Sequence, residues 1–125
     1  MTSGVPARRI LVVDDESSAR DSIKRMLMAD GYEVELAANA EEALELFKRA
    51  KFNLIITDYA LPLKKGDQLA GAIKAIDPSQ PVALITAYAE AIRYARTPLE
   101  TVDLVIDKPI SWYQFREAVA KLLGP

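Results

Sequence analysis

Ile10-Leu11-Val12-Val13-Asp14-Asp15 is the stretch that decides how this chain folds. Four apolar residues in a row end abruptly on two carboxylates. A half-exposed strand alternates apolar with polar, whereas an unbroken apolar run reads as a strand buried on both faces. Such strands belong to parallel sheets with helices on each side. The pattern returns in Leu54-Ile55-Ile56-Thr57, which runs into Asp58, and again from Pro81 to Thr86 and from Asp103 to Asp107. Glu33 to Ala37 is a further strand candidate.

Amphipathic stretches separate these runs. Ser17 to Asp30 places Ile23, Met26 and Leu27 on one helical face, and Gly31 stands where a helix-ending glycine belongs. Asn39 is expected to cap a helix with Glu42 as its capping-box partner, and Ala43, Leu44, Leu46 and Phe47 form the apolar face. A loop with Pro62 and a turn glycine, Gly66, leads to a helix from Asp67 to Ile76 with Leu69, Ile73 and Ile76 turned inward. Asp77-Pro78 breaks it. The next helix covers roughly Ala89 to Arg96 and must end or kink at Thr97-Pro98. Ser111 is expected to cap the last helix, with Gln114 at its third position and Phe115, Val119 and Leu122 facing the core. Trp112 and Tyr113 open that helix as half-exposed aromatics, for packing or for a partner. The fold class expected is α/β: a doubly wound, five-stranded parallel sheet with five helices, in one domain over residues 1–125 and a core over about 9–123.

Composition narrows the chemistry. Half of the 125 residues are hydrophobic, enough for one sizeable core and against disorder. A net charge of −2, scattered over both signs, gives no electrostatic reason to bind nucleic acid or a membrane surface. There is no Cys and no His. Disulfides, thiolate catalysis, the usual zinc ligands and a histidine general base are therefore excluded. Apolar runs such as Leu54-Ile55-Ile56 are far too short to span a bilayer, and Met1 to Arg9 lacks a signal peptide's apolar stretch. A cytoplasmic protein is the expectation that follows.

The chemically informative residues all stand where strands end: Asp14 and Asp15, Asp58, Thr86 and Lys108. In doubly wound folds, ligands bind beyond the carboxyl ends of the strands. Three carboxylates brought together there repel unless a cation joins them, and an all-oxygen ligand set suits a hard ion such as Mg²⁺. The Lys108 ammonium can hold a phosphoryl oxygen, and the Thr86 hydroxyl can add a hydrogen bond. Asp58 needs no base to act as a nucleophile, because a carboxylate is already ionised near neutral pH. Phosphoryl transfer asks mainly for positioning and charge neutralisation, which Mg²⁺ and lysine supply. Singly, each residue has a plainer reading: Asp14-Asp15 as a strand end and cap, Asp58 as a turn residue, Thr86 as a β-branched strand residue, Lys108 as a surface lysine.

Leu11-Val12-Val13-Asp14-Asp15-Glu16, then Ile56-Thr57-Asp58 with Pro62 and Gly66, then Thr86-Ala87 and Lys108-Pro109, in this order and spacing, resemble the receiver domain of two-component response regulators, the CheY-like superfamily. The resemblance runs from Ile10 to Leu123. It implies a flavodoxin-like strand order of 2-1-3-4-5. It implies that Asp58 is the phosphoacceptor, that Asp15 ligates Mg²⁺ directly, and that Asp14 holds it through water. The backbone carbonyl of Ala60 would complete the protein ligands. Thr86 would be the switch hydroxyl, the N–H of Ala87 a further donor to the phosphoryl group, and Lys108 the phosphate-binding lysine beside a cis Lys108-Pro109 peptide. The implied donor is a sensor histidine kinase or a histidine phosphotransfer protein, and the implied output is a downstream protein target or effector domain, with homodimerisation as a further option. The domain would catalyse only its own phosphorylation and dephosphorylation.

Two positions depart from the family pattern. Val105 stands where a rotating switch aromatic is usual, and Pro98 falls in the helix of the usual output face, so phosphorylation is expected to change that face in a muted or unusual way. The positions that tune hydrolysis carry Ala60 and Tyr88, which favour a moderately long-lived phosphoryl group. The alternative function is a receiver-like protein-binding module whose output is independent of phosphate. An aspartate-nucleophile phosphatase would need a carboxylate in place of Ala60, and a nucleotide-binding domain would need a glycine-rich first loop. Both a single-domain regulator and a receiver within a longer protein fit this sequence.

Overall fold

The computed structural model describes residues 7–87 and 102–124. Strand β1 (Arg9–Val13) leads into helix α1 (Ser17–Ala29), followed by β2 (Glu33–Ala37), α2 (Ala40–Arg49), β3 (Leu54–Asp58), α3 (Gly66–Ile76), β4 (Val82–Thr86), β5 (Leu104–Asp107) and α4 (Trp112–Leu123). The strands form one parallel sheet in the order β2-β1-β3-β4-β5. The order expected from the resemblance is the one found. The helix count is corrected: the described residues contain four helices, not five. The stretch expected to supply the other, 89–96, lies outside the described residues, as do Tyr88 and Pro98. That run is short, and Thr97-Pro98 follows it.

Burial follows the hydrophobic pattern. The central strands β3 and β4 are buried at every position, and β1 at all but Arg9. Successive side chains of a strand point to opposite faces. Leu11, Val13 and Ile55 therefore join Ala40, Ala43, Leu69 and Ile73 beneath α2 and α3. Ile10, Val12, Leu54 and Ile56 join Ile23, Leu27, Phe115 and Val119 beneath α1 and α4. Edge strand β2 alternates instead, with Glu33 and Glu35 exposed, and such charges discourage further strand pairing at an edge. Val105 is half-buried on the other edge strand and pairs with Leu84.

The helix ends show which local signals hold. Gly31 has φ 90°, and the N–H groups of Gly31 and Tyr32 donate to the carbonyls of Met28 and Leu27, which closes α1 as a Schellman motif. The Asn39 side chain accepts the Glu42 N–H at 2.8 Å, as a cap should. Ser111 occupies the position before α4, but its side chain makes no capping hydrogen bond. Ile76 is exposed rather than inward, because it stands at the last position of α3, past the Leu69–Ile73 contact with the sheet. Trp112 and Tyr113 are both exposed, and Trp112 meets Phe115 edge-on.

Candidate functional site

The parallel sheet collects its strand ends at one rim, and this brings together residues far apart in sequence. Val13 pairs with Thr57, Asp58 with Ile85 and Thr86 with Asp107, so Asp14, Asp58, Thr86 and Lys108 all lie at or just past the same edge. One carboxylate oxygen from each of Asp14, Asp15 and Asp58 falls within 4.8 Å of the others. Asp14 and Asp58 are buried, while Asp15 is exposed at the mouth. The Lys108 ammonium lies 3.3 Å from Oδ1 of Asp58. The Lys108-Pro109 peptide is cis, as the resemblance implied, and the Lys108 N–H donates to the Thr86 carbonyl.

Asp14 and Asp58 are placed by backbone bonds. The Asp14 N–H donates to the Ala37 carbonyl, and Oδ1 of Asp14 accepts the Glu16 N–H at 2.9 Å. Beyond Asp58, the Tyr59 N–H donates to the Ile85 carbonyl, which keeps the chain paired with β4 for one more residue. The Leu61 and Gly66 N–H groups both donate to the Tyr59 carbonyl, folding the loop that carries Ala60 back over the rim. Ala60 and Ala87 are exposed there, and Thr86 is buried at the end of β4.

Gly66 has a role other than the one its sequence position indicated. It is the first residue of α3 and does not have a positive φ, so no turn demands glycine there. A Cβ at Gly66 would stand 2.3 Å from the Asp58 carbonyl oxygen and 2.9 Å from Cα of Tyr59. Glycine allows α3 to press against the backbone that carries Asp58. Arg20, on α1, is a second residue that no local pattern marks: its Nη1 donates to the Asp14 carbonyl at 2.7 Å.

Burial pushes the Asp14 carboxyl above the ordinary aspartate range. The Glu16 N–H draws it down, the negative charge of Asp58 raises it further, Lys108 lowers it, and Asp15 raises it. A buried carboxylate among carboxylates is therefore electrostatically short of positive charge, the condition a bound cation relieves. The donor set is all oxygen, with one ligand at the solvent-facing mouth, and it fits a hard divalent ion such as Mg²⁺. Asp14, Asp15 and Asp58 could hold it.

Residues 10–120 match the sequence profile of the response regulator receiver domain. A response regulator receiver protein of Anaeromyxobacter sp. (strain Fw109-5) is 34% identical over 106 residues, which is 83% of this chain and 44% of that protein. This chain thus spans less than half the length of that relative. The fold is similar to that of the response regulator protein TrrA from Thermotoga maritima in complex with Mg²⁺–BeF, with a TM-score of 0.83 and 35% identity over 92% of this chain and 98% of that one. TrrA in complex with the histidine kinase ThkA is similar at a TM-score of 0.82 and 34% identity, covering 94% and 99% of the two chains. Among the described residues, no helix is long and apolar enough to cross a membrane.

Proposed function

The chain belongs to the response regulator receiver family, and from that premise we propose that Asp58 accepts a phosphoryl group from a phosphohistidine of a partner protein. The observation that carries this reading is the convergence of three carboxylates within 4.8 Å, with an ammonium 3.3 Å from one of them. The similarity to TrrA, solved both with Mg²⁺–BeF and with a histidine kinase, supports the metal and the class of donor. With no His of its own, this chain draws the donor imidazole from the partner. Residues 1–125 act as a single receiver domain, whose switched state is read by a downstream protein or effector domain.

The chemistry needs little beyond placement. An oxygen of the ionised Asp58 carboxylate forms the new bond to phosphorus as the phosphorus–nitrogen bond of the donor breaks. Lys108, already paired with Asp58, moves its charge to a phosphoryl oxygen as the carboxylate becomes an acyl phosphate. At the neighbouring strand end, the Thr86 hydroxyl and the Ala87 N–H donate to the other oxygens. Asp14, Asp15, Asp58 and the Ala60 carbonyl would hold Mg²⁺, which would supply neutralisation of the phosphoryl charge. The domain catalyses its own phosphorylation and hydrolysis and turns over no separate metabolite.

The test is incubation of the wild type and Asp58→Ala with acetyl phosphate and Mg²⁺, followed by intact mass. The wild type gains one phosphoryl group and the variant gains none. A gain that survives the substitution overturns the assignment of Asp58.

A further inference from the structure

We propose that Arg20 is a positioning residue for the metal site, holding the turn on which Asp15 stands. The inference rests on the Mg²⁺ reading of Asp14, Asp15 and Asp58 given above. Three hydrogen bonds form a closed circuit around Asp15. The Glu16 N–H donates to Oδ1 of Asp14 at 2.9 Å. The Arg20 N–H donates to the Glu16 carbonyl at 3.1 Å, the first bond of α1. Nη1 of Arg20 donates to the Asp14 carbonyl at 2.7 Å. Arg20 thus ties the backbone on both sides of Asp15, with its main chain on one side and its guanidinium on the other. Asp15 is the exposed member of the trio, the one least held by packing, and so the one whose aim depends most on its backbone.

The guanidinium ends on a backbone oxygen rather than on a carboxylate. It therefore stiffens the turn without taking a lone pair that the ion would use. The bond is charge-assisted and partly buried, the stronger kind. Charge and geometry then make opposite forecasts. A fixed positive charge near a cation site repels the cation, so charge alone predicts that removing Arg20 tightens Mg²⁺ binding. Positioning predicts that removal weakens it, and the sign of the change separates the two.

The experiment is a Mg²⁺ titration followed by the amide NMR shifts of Asp15 and Glu16, in the wild type, Arg20→Met, Arg20→Lys and Asp15→Asn. Methionine keeps the aliphatic stem but loses the donors, whereas lysine restores a donor and the charge. Arg20→Met should weaken Mg²⁺ binding roughly tenfold, as loss of a group that orients a ligand commonly does. Arg20→Lys should recover most of it. In metal-free protein, amide exchange of Glu16 should speed up in Arg20→Met while that of Ile55, in the core of β3, stays unchanged. Unchanged or tighter Mg²⁺ binding in Arg20→Met, or equal acceleration at Glu16 and Ile55, overturns the positioning role. If the wild type responds to Mg²⁺ and Asp15→Asn does not, that failure is of Arg20 alone. A wild type with no Mg²⁺ response overturns both the metal site and this inference.

Discussion

Replacing Gly66 with alanine should strain the phosphoacceptor strand from the side. The added Cβ would stand 2.3 Å from the Asp58 carbonyl oxygen, about 1.1 Å short of the 3.4 Å at which ordinary contact begins. It would also meet Cδ1 of Leu84 at 2.8 Å and Cα of Tyr59 at 2.9 Å. Leu84 can turn aside, but the other two atoms are backbone, so relief requires α3 and the end of β3 to move apart. Overpacking of this kind costs about 1–3 kcal/mol. Alanine returns up to about 1 kcal/mol through its better helix propensity. The expected net loss is about 1–2 kcal/mol, or roughly 4–8 °C in Tm for a chain of 125 residues. Urea and thermal unfolding measure it. Because the displaced peptide is that of Asp58 itself, phosphorylation by acetyl phosphate in the folded variant should slow by roughly ten- to a hundredfold. Adding Leu84→Val relieves only one of the three contacts and should restore neither stability nor rate. A Gly66→Ala protein as stable as the wild type, and phosphorylated as fast, would refute the close-packing argument.

Three further expectations follow from single contacts. Asn39→Ala removes the side chain that accepts the Glu42 N–H and should cost about 1 kcal/mol in urea unfolding, with little change in Mg²⁺ binding. Arg116 pairs with both carboxylate oxygens of Asp30 at 2.9 and 2.6 Å, and the pairing raises its pKa. It is exposed, however, so Arg116→Ala should change stability little, and less again in high salt. The Ser79 hydroxyl and N–H both donate to Oδ1 of Asp77 and hold its carboxyl below the ordinary aspartate range. A depressed folded value means that this contribution to stability is present above the ordinary aspartate value of 3.8 and is lost as pH falls through the folded one. An NMR titration of Asp77 should show its midpoint rise toward the ordinary value in Ser79→Ala.

The strands were legible because their signal is local and physical. Ile10 to Val13 and Leu54 to Ile56 admit no polar face, and runs this short and rich in β-branched residues suit a sheet covered on both sides. Gly31 and Asn39 were legible for the same reason, since helix ends are solved by residues within a turn of the end. The acidic trio was legible because parallel strands end together. Ser111 failed as a cap, although its residue type suits the position. Gly66 and Arg20 needed coordinates. The reason for glycine at 66 is a carbonyl presented by a different strand, and the aim of Arg20 is set by how α1 leaves β1. Neither leaves a periodic or local trace.

The charge count at the rim explains why the site calls for a divalent ion rather than a second lysine. Three carboxylates converge there on one ammonium, two of them buried, so the rim is rich in negative charge. Proton uptake is the alternative to a cation, and burial already tilts Asp14 toward it. A proton on Asp14, however, would weaken the negative field that draws in Mg²⁺. A second lysine would neutralise one charge, but it would occupy carboxylate lone pairs and crowd the approach of the donor. A divalent ion held by Asp14, Asp15 and Asp58 would offset that excess and would supply charge to a phosphoryl group. Arg20 donates to a carbonyl and so leaves the carboxylate lone pairs to the ion. On the proposed reading of the site, the Lys108–Asp58 pair would be a resting contact, held until a phosphoryl group gave the ammonium a more negative partner.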